Sequence, residues 1–369
     1  MHILKISARN FKNLANDAAI DFVAKSRKTS EDKEYELHEI ADGLYIFKTI
    51  AIVGKNASGK TTALDLLAVA EEILTSYRVS DNHSVNNMEI CIYFFEDGYI
   101  YKYIATLLQN SVDKKVKFEN ELIMRKPYYK SYINEIYDDN GFETVQEEGR
   151  LPEDVSKVFF VIQSNPPGAI YYNDYMTGAG VYNLTFDVME SSNIDEEILK
   201  KILKIFDANV LGLTRDENGN FKLNYAGEEK ILTAHELFFM LSSGTTKGMI
   251  LYTIIVASLS QGFNLIIDEI ENHFHKTLVE NIISLYKDKS VNRKNATLIF
   301  STHYCELLDL FNRQDNIYIA NADNKVHLNS VYDKYPIRND VLKSRQYYTN
   351  VFKTAVNYDA LMDLKKTME

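Results

Sequence analysis

An octapeptide rich in glycine and small polar residues constrains the fold of this chain more than any other segment. The apolar run from Ile46 to Val53 predicts a buried strand before it, and the residues from Thr62 to Leu74 have apolar side chains at helical spacing. The octapeptide therefore lies at a turn from a strand to a helix, which is the context that a phosphate-binding loop, or P-loop, requires. Its residues are Gly54, Lys55, Asn56, Ala57, Ser58, Gly59, Lys60 and Thr61, with Thr62 directly after them.

The residue types of the P-loop match the chemistry of a bound nucleotide. Gly54 and Gly59 allow backbone N–H groups to converge on phosphate oxygens, and the helix N-terminus adds a partial positive charge. We expect Lys60 to reach the β- and γ-phosphates and the Thr61 hydroxyl to bind Mg²⁺. A glycine turn that only starts a helix is the alternative, and the flanking strand and helix favour the nucleotide.

A second apolar run ends in two acids. The residues from Phe263 to Ile267 predict a strand, and Asp268 and Glu269 follow it. Ligands of open α/β sheets bind at the carboxyl ends of the strands. We expect Asp268 to hold Mg²⁺, directly or through water, and Glu269 to polarise the attacking water of a hydrolysis. Because buried strands often end in surface acids without a function, this interpretation depends on the order of the other motifs.

Three shorter segments complete the set of candidate positions. Ser242, Ser243 and Gly244 stand in a polar segment before an apolar helical run. His303 follows the apolar run from Ala296 to Phe300, and Gln163 follows the run from Val158 to Ile162. A lone histidine or glutamine at the end of a strand is often only a structural hydrogen-bonding group. These residues gain meaning from their order in the chain.

The order of motifs resembles ABC-type ATPases of the soluble branch that includes the SMC, RecF and overcoming-lysogenization-defect (OLD) families. The opening segment Ile3–Leu14 is similar to the first strand and turn of those proteins, and Asp268–His275 is similar to the extended Walker B motif of OLD-like members. The tail from Tyr335 to Tyr348 resembles small ATPases of prokaryotic anti-phage and abortive-infection systems. The signature segment departs from common forms: Ser243 stands where many members have glycine, and Thr245 where transporters usually have glutamine.

The resemblance assigns roles to the remaining candidate residues. It implies that Ser242–Gly244 is the signature that contacts the ATP of a second subunit, so that two chains form a homodimer around two ATP molecules. His303 would be the switch histidine at the γ-phosphate, and Gln163 the Q-loop residue that senses Mg²⁺. The cofactors implied are ATP and Mg²⁺.

The fold class implied is α/β: a P-loop NTPase with an ABC-ATPase-type head, a mixed central sheet, an antiparallel β subdomain and a helical signature lobe. We predict a single head over residues 1–369, although the length would also allow two modest domains. Its parts are an N-terminal lobe at 1–163, an inserted variable and signature lobe at 164–260, a core part with Walker B and the switch histidine at 261–335, and a C-terminal tail at 336–369.

Local patterns predict several elements of that head. The residues from Met88 to Met124 predict an antiparallel sheet, and the polar segment from Lys25 to Glu39 predicts a loop or an insertion between two early strands. Asn193 is expected to cap a helix that extends to Phe206. The turn from Asp216 to Asn220 is expected to join two strands, and the residues from Thr233 to Glu236 form a capping-box pattern.

Charge and cysteine content indicate which cellular compartment and which binding partners suit this chain. The formal net charge of −11 gives no overall attraction to nucleic acid, although local clusters such as Lys25–Lys28 could contact a phosphate backbone. The two cysteines, Cys91 and Cys305, have no spacing typical of a metal site or a disulfide framework. Without a signal-peptide pattern or an apolar stretch of transmembrane length, we expect a cytoplasmic protein that does not bind membranes.

Three functions remain open at this stage. The first is an ATP-hydrolysing head that controls a partner effector, a nuclease or toxin encoded nearby, in anti-phage defence. The second is a DNA-repair or DNA-clamping ATPase of the RecF or SMC type. DNA-stimulated ATP hydrolysis with a steep salt dependence would favour it. The third is the nucleotide-binding subunit of a transporter. Co-purification with a membrane permease would favour it. Because fewer than seventy residues follow His303 in this sequence, we do not expect it to contain the nuclease domain of OLD-like proteins.

Overall fold

The computed structural model describes the chain except at residues 147–148, 163–167, 174–175, 177, 273, 336, 339–340, 355–357 and 369. The chain divides into two compact units. The first unit contains residues 1–169 and 299–369, and the second contains residues 170–298. The candidate P-loop and His303 belong to the first unit, whereas the signature segment and the two acids belong to the second. The sequence-based boundaries at 163/164 and 260/261 stay a prediction.

Seventeen strands are formed by the described residues. Their bounds are β1 His2–Arg9, β2 Ala19–Asp21, β3 Leu37–Ala41, β4 Leu44–Phe47, β5 Thr49–Val53, β6 Met88–Glu96, β7 Tyr99–Gln109, β8 Val116–Pro127, β9 Glu143–Thr144, β10 Ala169–Tyr172, β11 Val210–Arg215, β12 Phe221–Tyr225, β13 Glu228–Leu232, β14 Asn264–Ile267, β15 Leu298–Thr302, β16 Ile317–Asp323 and β17 Lys325–Ser330.

Ten α-helices are formed by the same part of the chain. Their bounds are α1 Ser30–Tyr35, α2 Lys60–Thr75, α3 Gly180–Ser192, α4 Glu196–Phe206, α5 Ala234–Met240, α6 Ser243–Gln261, α7 Lys276–Lys287, α8 Val331–Lys334, α9 Lys343–Tyr348 and α10 Tyr358–Met368. Short 3₁₀ helices cover Lys130–Glu135, Lys157–Phe160 and Cys305–Leu310. No single helix in the described ranges has the length and apolar character needed to cross a membrane; α5 and α6 meet that test only as a pair, across a bend of 118°.

Two larger sheets and one hairpin build the first unit. One sheet has the strand order β2-β1-β6-β7-β8-β9 and is antiparallel, which confirms the antiparallel sheet predicted over Met88–Met124. In the other sheet β15, β5, β16 and β17 follow one another, with β5 parallel to β16 and β16 antiparallel to β17. Strands β3 and β4 form the hairpin. The mixed sheet places the ends of β5 and β15 side by side.

The strand predicted from Ile46 to Val53 is interrupted at Lys48, so the prediction of one continuous strand was wrong. Lys48 is fully buried, and its ammonium group donates a hydrogen bond of 2.6 Å to the carbonyl oxygen of Glu34. Before this residue the chain pairs with β3, and after it the chain joins β16 in the mixed sheet. The chain therefore changes its pairing partner from β3 to β16 at Lys48.

The polar segment from Lys25 to Glu39 follows β2 and is an insertion with its own helix, so of the two predicted alternatives the loop was wrong. It contains α1, which begins with a capping box between Thr29 and Asp32, and the start of β3. Arg313 fixes this segment from a distant part of the chain. Its guanidinium group lies 3.1 Å from Asp32 and 2.6 Å from Asp315, and its side chain is 1% exposed. Polar composition misled the prediction because these polar groups satisfy one another inside the unit.

The Arg313→Met substitution should destabilise the first unit. It leaves Asp32 and Asp315 buried without their cation, and breaking a buried ion pair in this way costs about 3–5 kcal/mol. Urea unfolding of wild type and variant would measure the difference. The matched control is Arg78→Met, because Arg78 pairs with Asp154 at 3.4 Å with side chains 58% and 37% exposed. The control should cost less than about 1 kcal/mol. Equal losses in the two variants would contradict a structural role for Arg313.

The second unit packs helices on a small antiparallel sheet and a strand pair. Its sheet has the order β11-β12-β13, and β10 lies beside β14. The predicted turn from Asp216 to Asn220 joins β11 and β12, and the predicted capping box at Thr233 starts α5; both predictions are confirmed. The prediction for Asn193 was wrong. This residue ends α3 in a left-handed conformation with φ of 51°, and α4 begins after Asp195. Asparagine is common at both ends of helices. Its side-chain oxygen can cap the N-terminus, and its tolerance of the left-handed region suits the C-terminus.

Candidate functional site

The P-loop joins β5 to α2, the strand-to-helix context that the sequence predicts. Gly54 follows β5, and a Cβ atom at this position would collide with the side chain of Ser58 and the carbonyl oxygen of Ala320 in β16. Gly59 has a φ of 93°, and a Cβ atom there would collide with the side chain of Val326 in β17. Only glycine fits these two positions, because the loop is pressed against the neighbouring strands of its own unit.

The N-terminus of α2 has the features of an anion site. Its N-cap residue is Gly59, and no side chain caps the helix. The first N–H groups of a helix lack intrahelical partners, and the helix dipole makes this end electropositive. The hydroxyl oxygen of Ser58 is buried in the loop and has no hydrogen-bond partner among the described residues. Phosphate oxygens are the acceptors that this set of donors fits.

Lys60 brings His303 into the same site. Its ammonium nitrogen lies 3.0 Å from Nε2 and 3.3 Å from Nδ1 of His303, and 3.2 Å from the carbonyl oxygen of Gly54. An ammonium group has hydrogens to donate and no lone pair, so in this contact Lys60 can only be the donor. His303 follows β15, and Lys60 follows the P-loop after β5, so the adjacent ends of the two strands account for the contact. Lys60 and the histidine that the resemblance assigns to the γ-phosphate are therefore neighbours.

A turn after β1 also reaches this end of α2, which the residue patterns alone do not indicate. Lys12 forms an ion pair with Asp65 on α2, and the Thr62 hydroxyl lies 3.4 Å from the side-chain oxygen of Asn13. The turn has positive φ angles of 56° at Asn10 and 49° at Lys12. Asparagine close to a strand end is a signal for such a turn. The resemblance of the opening segment to ABC-type ATPases is consistent with its place beside the P-loop.

In the second unit, the two acids follow β14 as predicted. The backbone N–H of Asp268 donates to the carbonyl oxygen of Tyr172 in β10 at 3.0 Å, which continues the strand pairing by one residue. Glu269 then turns sharply, with a φ of 49°. Its carboxylate oxygen accepts a hydrogen bond of 2.8 Å from the side-chain amide of Asn272. Both acids are half-buried.

The signature segment forms the start of α6. Ser242 is the N-cap of this helix, and its hydroxyl oxygen accepts a hydrogen bond of 3.0 Å from the backbone N–H of Thr245. Ser242 and Ser243 are exposed, and Gly244 is half-exposed. The segment thus presents the N-terminal turn of a 19-residue helix at the surface of the second unit. Such a turn attracts anions.

Two further residues singled out in the sequence are Gln163 and His275. Gln163, the proposed Q-loop residue, lies outside the described residues. The apolar run before it contains a 3₁₀ helix at Lys157–Phe160, not the predicted strand. His275 is the N-cap of α7, where its Nδ1 accepts a hydrogen bond of 3.3 Å from the backbone N–H of Thr277. A capping role explains this histidine.

The oxygen donors in these motifs suit Mg²⁺. The Thr61 hydroxyl and the Asp268 carboxylate are hard ligands of the kind this ion prefers, and Mg²⁺ usually keeps several waters and takes other ligands from phosphates. Within the described ranges, no group of three or more His, Cys, Asp or Glu side chains converges on a metal position.

Comparison with known proteins completes the description. The crystal structure of "the SmcHead bound to the C-winged helix domain of ScpA" aligns over 91% of this chain and 100% of that chain, with 14% identity and a TM-score of 0.44. No curated protein matches the chain in sequence. The family model described as "AAA domain, putative AbiEii toxin, Type IV TA system" matches residues 50–165 and 177–309, which is more than half of the chain. These residues include the P-loop, the signature segment, the two acids and His303. The chain belongs to this family of small AAA-domain ATPases, and its fold class is the predicted α/β P-loop NTPase.

Proposed function

We propose that the protein is an ATP-binding and ATP-hydrolysing head that forms a homodimer around two ATP molecules and thereby controls a partner effector. The observation that carries the proposal is the contact of Lys60 with His303 beside the uncapped N-terminus of α2. A cation, an imidazole and the electropositive N-terminus of a helix make a site for the terminal phosphates of a nucleotide. Family membership supports the choice of ATP.

Each motif has a separate task in the proposed reaction. The P-loop N–H groups and Lys60 bind the β- and γ-phosphates and neutralise their charge. Thr61 and Asp268 would hold Mg²⁺, which supplies additional positive charge to the phosphate oxygens, and Gln163 would contribute to the same ion. Glu269 orients and polarises the attacking water. His303 would donate a hydrogen bond to a γ-phosphate oxygen, next to Lys60, which binds the same phosphate.

The proposed dimer uses the exposed start of α6. In the closed state, Ser242, Ser243 and Gly244 of one subunit contact the γ-phosphate held by the P-loop of the other. The helix N-terminus and the small side chains of this segment support the role, since they allow a phosphate to approach the backbone closely. Nucleotide state would then set the geometry of the dimer.

The proposed partner is an effector, a nuclease or toxin encoded nearby, in prokaryotic anti-phage defence. The description of the family, which names a toxin and a toxin–antitoxin system, supports this direction. The resemblance of the tail to ATPases of abortive-infection systems points the same way. In this proposal the protein works in the cytoplasm, and closing or opening of the dimer licenses the effector.

The Ser242→Arg substitution tests the dimer. A bulky cation at the start of α6 should exclude the γ-phosphate of the other subunit, while the P-loop of the same chain stays intact. ATP affinity measured by calorimetry should remain within about twofold, whereas hydrolysis should fall by about 100-fold or more. The matched control is Ser284→Arg, because Ser284 is exposed on α7 of the same unit. The control should hydrolyse ATP normally.

Mixing the Ser242→Arg protein with a Lys60→Ala protein sharpens this test. A heterodimer of the two contains one composite site made from an intact P-loop and an intact signature. Activity should reappear when two individually inactive proteins are combined, if one intact site suffices for hydrolysis. A Ser242→Arg protein with full ATPase activity would contradict the head-to-tail dimer.

A further inference from the structure

Asn272 makes two hydrogen bonds to Glu269, the proposed water-polarising residue. Its side-chain amide donates to Oε2 of Glu269 at 2.8 Å, and its backbone N–H donates to the carbonyl oxygen of Glu269 at 2.8 Å. The orientation of the amide is fixed by its partner, because a carboxylate oxygen accepts and the Asn nitrogen is the donor. One residue thus holds both the side chain and the backbone of Glu269.

The backbone of Glu269 needs such support. Its φ of 49° lies in the left-handed region, which residues with a Cβ atom adopt uncommonly. Residues in this region persist where the surrounding structure over-determines them, and they cluster at functional sites. The turn closed by the N–H of Asn272 supplies one of these constraints. The direction of the Glu269 carboxylate therefore depends on Asn272.

The turn is itself anchored in the second unit. Two residues after Asn272, the Phe274 ring is 8% exposed and lies 6.0 Å from the ring of Phe206 at the end of α4. Phe206 also packs edge-to-face on Tyr252 of α6, with ring centroids 5.5 Å apart. Asn272 itself is half-buried. Through Phe274 and Phe206, the segment that follows Glu269 is connected to α6, the helix that begins with the signature segment. We call the pair of hydrogen bonds from Asn272 to Glu269 the clamp.

We propose that Asn272 is a positioning residue for ATP hydrolysis, which acts by holding the Glu269 carboxylate in one orientation. This inference rests on the proposed role of Glu269. A base or water-orienting group works only within a narrow range of geometry, and a displacement of about 1 Å can cost about 100-fold in rate. Asn272 has no task in binding ATP, so its loss should affect turnover and leave affinity intact.

The Asn272→Asp substitution tests this clamp with almost no change of volume. Aspartate keeps the backbone N–H but removes the side-chain donor and places one carboxylate against another. We expect kcat to fall by about 10–100-fold, with KM and the calorimetric affinity for ATP within about twofold of wild type. Asn272→Ala, which removes the donor without adding charge, should show a smaller loss of kcat. The matched control is Asn281→Asp on α7 of the same unit, which should retain the wild-type kcat.

A measurement without nucleotide separates positioning from catalysis. Hydrogen–deuterium exchange of the amides at 269–272 should be faster in Asn272→Asp than in wild type, because one of the two bonds that close the turn is lost. The same amides should exchange at the wild-type rate in Asn281→Asp. Unchanged exchange together with wild-type kcat in Asn272→Asp would overturn the inference.

A double-mutant cycle shows whether Asn272 acts through Glu269. In a Glu269→Gln background, adding Asn272→Asp should cause no further loss in the single-turnover rate, since the group it positions is already gone. A loss that multiplies with that of Glu269→Gln would overturn the inference. If Glu269→Gln alone hydrolysed ATP at the wild-type rate, the proposed role of Glu269 would fail first, and the clamp with it. An inactive Glu269→Gln protein beside a fully active Asn272→Asp protein would remove the clamp only.

Discussion

The Lys60→Ala protein should no longer bind ATP at concentrations that saturate the wild type. Lys60 is the P-loop lysine that follows Gly59 at the start of α2, and it is only 5% exposed. Charge-assisted hydrogen bonds to a phosphate are each worth about 1.5–3 kcal/mol, so losing the ammonium group should weaken binding by at least about 100-fold. Isothermal calorimetry with Mg-ATP would measure the loss.

The control for this variant is Lys200→Ala, in which an exposed lysine of α4 is removed. It should bind ATP as the wild type does. Thermal unfolding without nucleotide should accompany the calorimetry, because Lys60 also donates to the carbonyl oxygen of Gly54. ATP binding at wild-type strength in the Lys60→Ala protein would remove the P-loop assignment.

The Glu269→Gln protein should bind ATP and fail to hydrolyse it. Glutamine has the volume of glutamate and keeps its hydrogen-bonding capacity, but it cannot polarise water as a carboxylate does. Removing a general base typically costs about 100- to 10,000-fold in rate, and we expect kcat to fall in this range with ATP affinity unchanged. Quenched single-turnover assays with radiolabelled ATP would measure the loss.

The control substitution for Glu269 is Glu280→Gln on α7, where the carboxylate is 3.8 Å from Lys276 at the surface. This variant should hydrolyse ATP at the wild-type rate. Turnover by Glu269→Gln near the wild-type rate would show that another acid, for which Glu271 is the nearest candidate in sequence, polarises the water.

Local features of the fold are readable in the sequence because they depend on neighbouring residues. The helix after the P-loop, the strand before Asp268 and the capping box at Thr233 follow from spacing and side-chain type over a few positions. The helix start assigned to Asn193 failed, because the residue suits both a cap and a left-handed helix end, and only packing decides between them.

Features that depend on distant residues are not readable in this way. The regular structure of the segment from Lys25 to Glu39 depends on the ion pair of Asp32 with Arg313. These two residues are 281 positions apart in the chain. The interruption at Lys48 likewise depends on which strand is available for pairing on each side. A polar composition predicts a loop only where the polar groups face water.

The same distinction applies to the candidate site. The P-loop is recognisable by its own residues, whereas His303 gains its interpretation from the resemblance, since it contacts Lys60 across 243 positions. The clamp by Asn272 is close in sequence to Glu269, yet no pattern indicates it. It depends on the left-handed backbone of Glu269, and glutamate gives no sign of this conformation in advance.

The molecular mass of the Glu269→Gln protein in solution shows whether two chains close around ATP. Light scattering would compare the protein without nucleotide, with Mg-ADP and with Mg-ATP. The proposal predicts a mass of one chain, 42.5 kDa, in the first two cases and twice that mass with Mg-ATP. Adding Ser242→Arg to Glu269→Gln should keep the mass at one chain even when calorimetry shows ATP bound. A single-chain mass with saturating Mg-ATP, or a dimer that Ser242→Arg leaves intact, would contradict a homodimer closed around two ATP molecules.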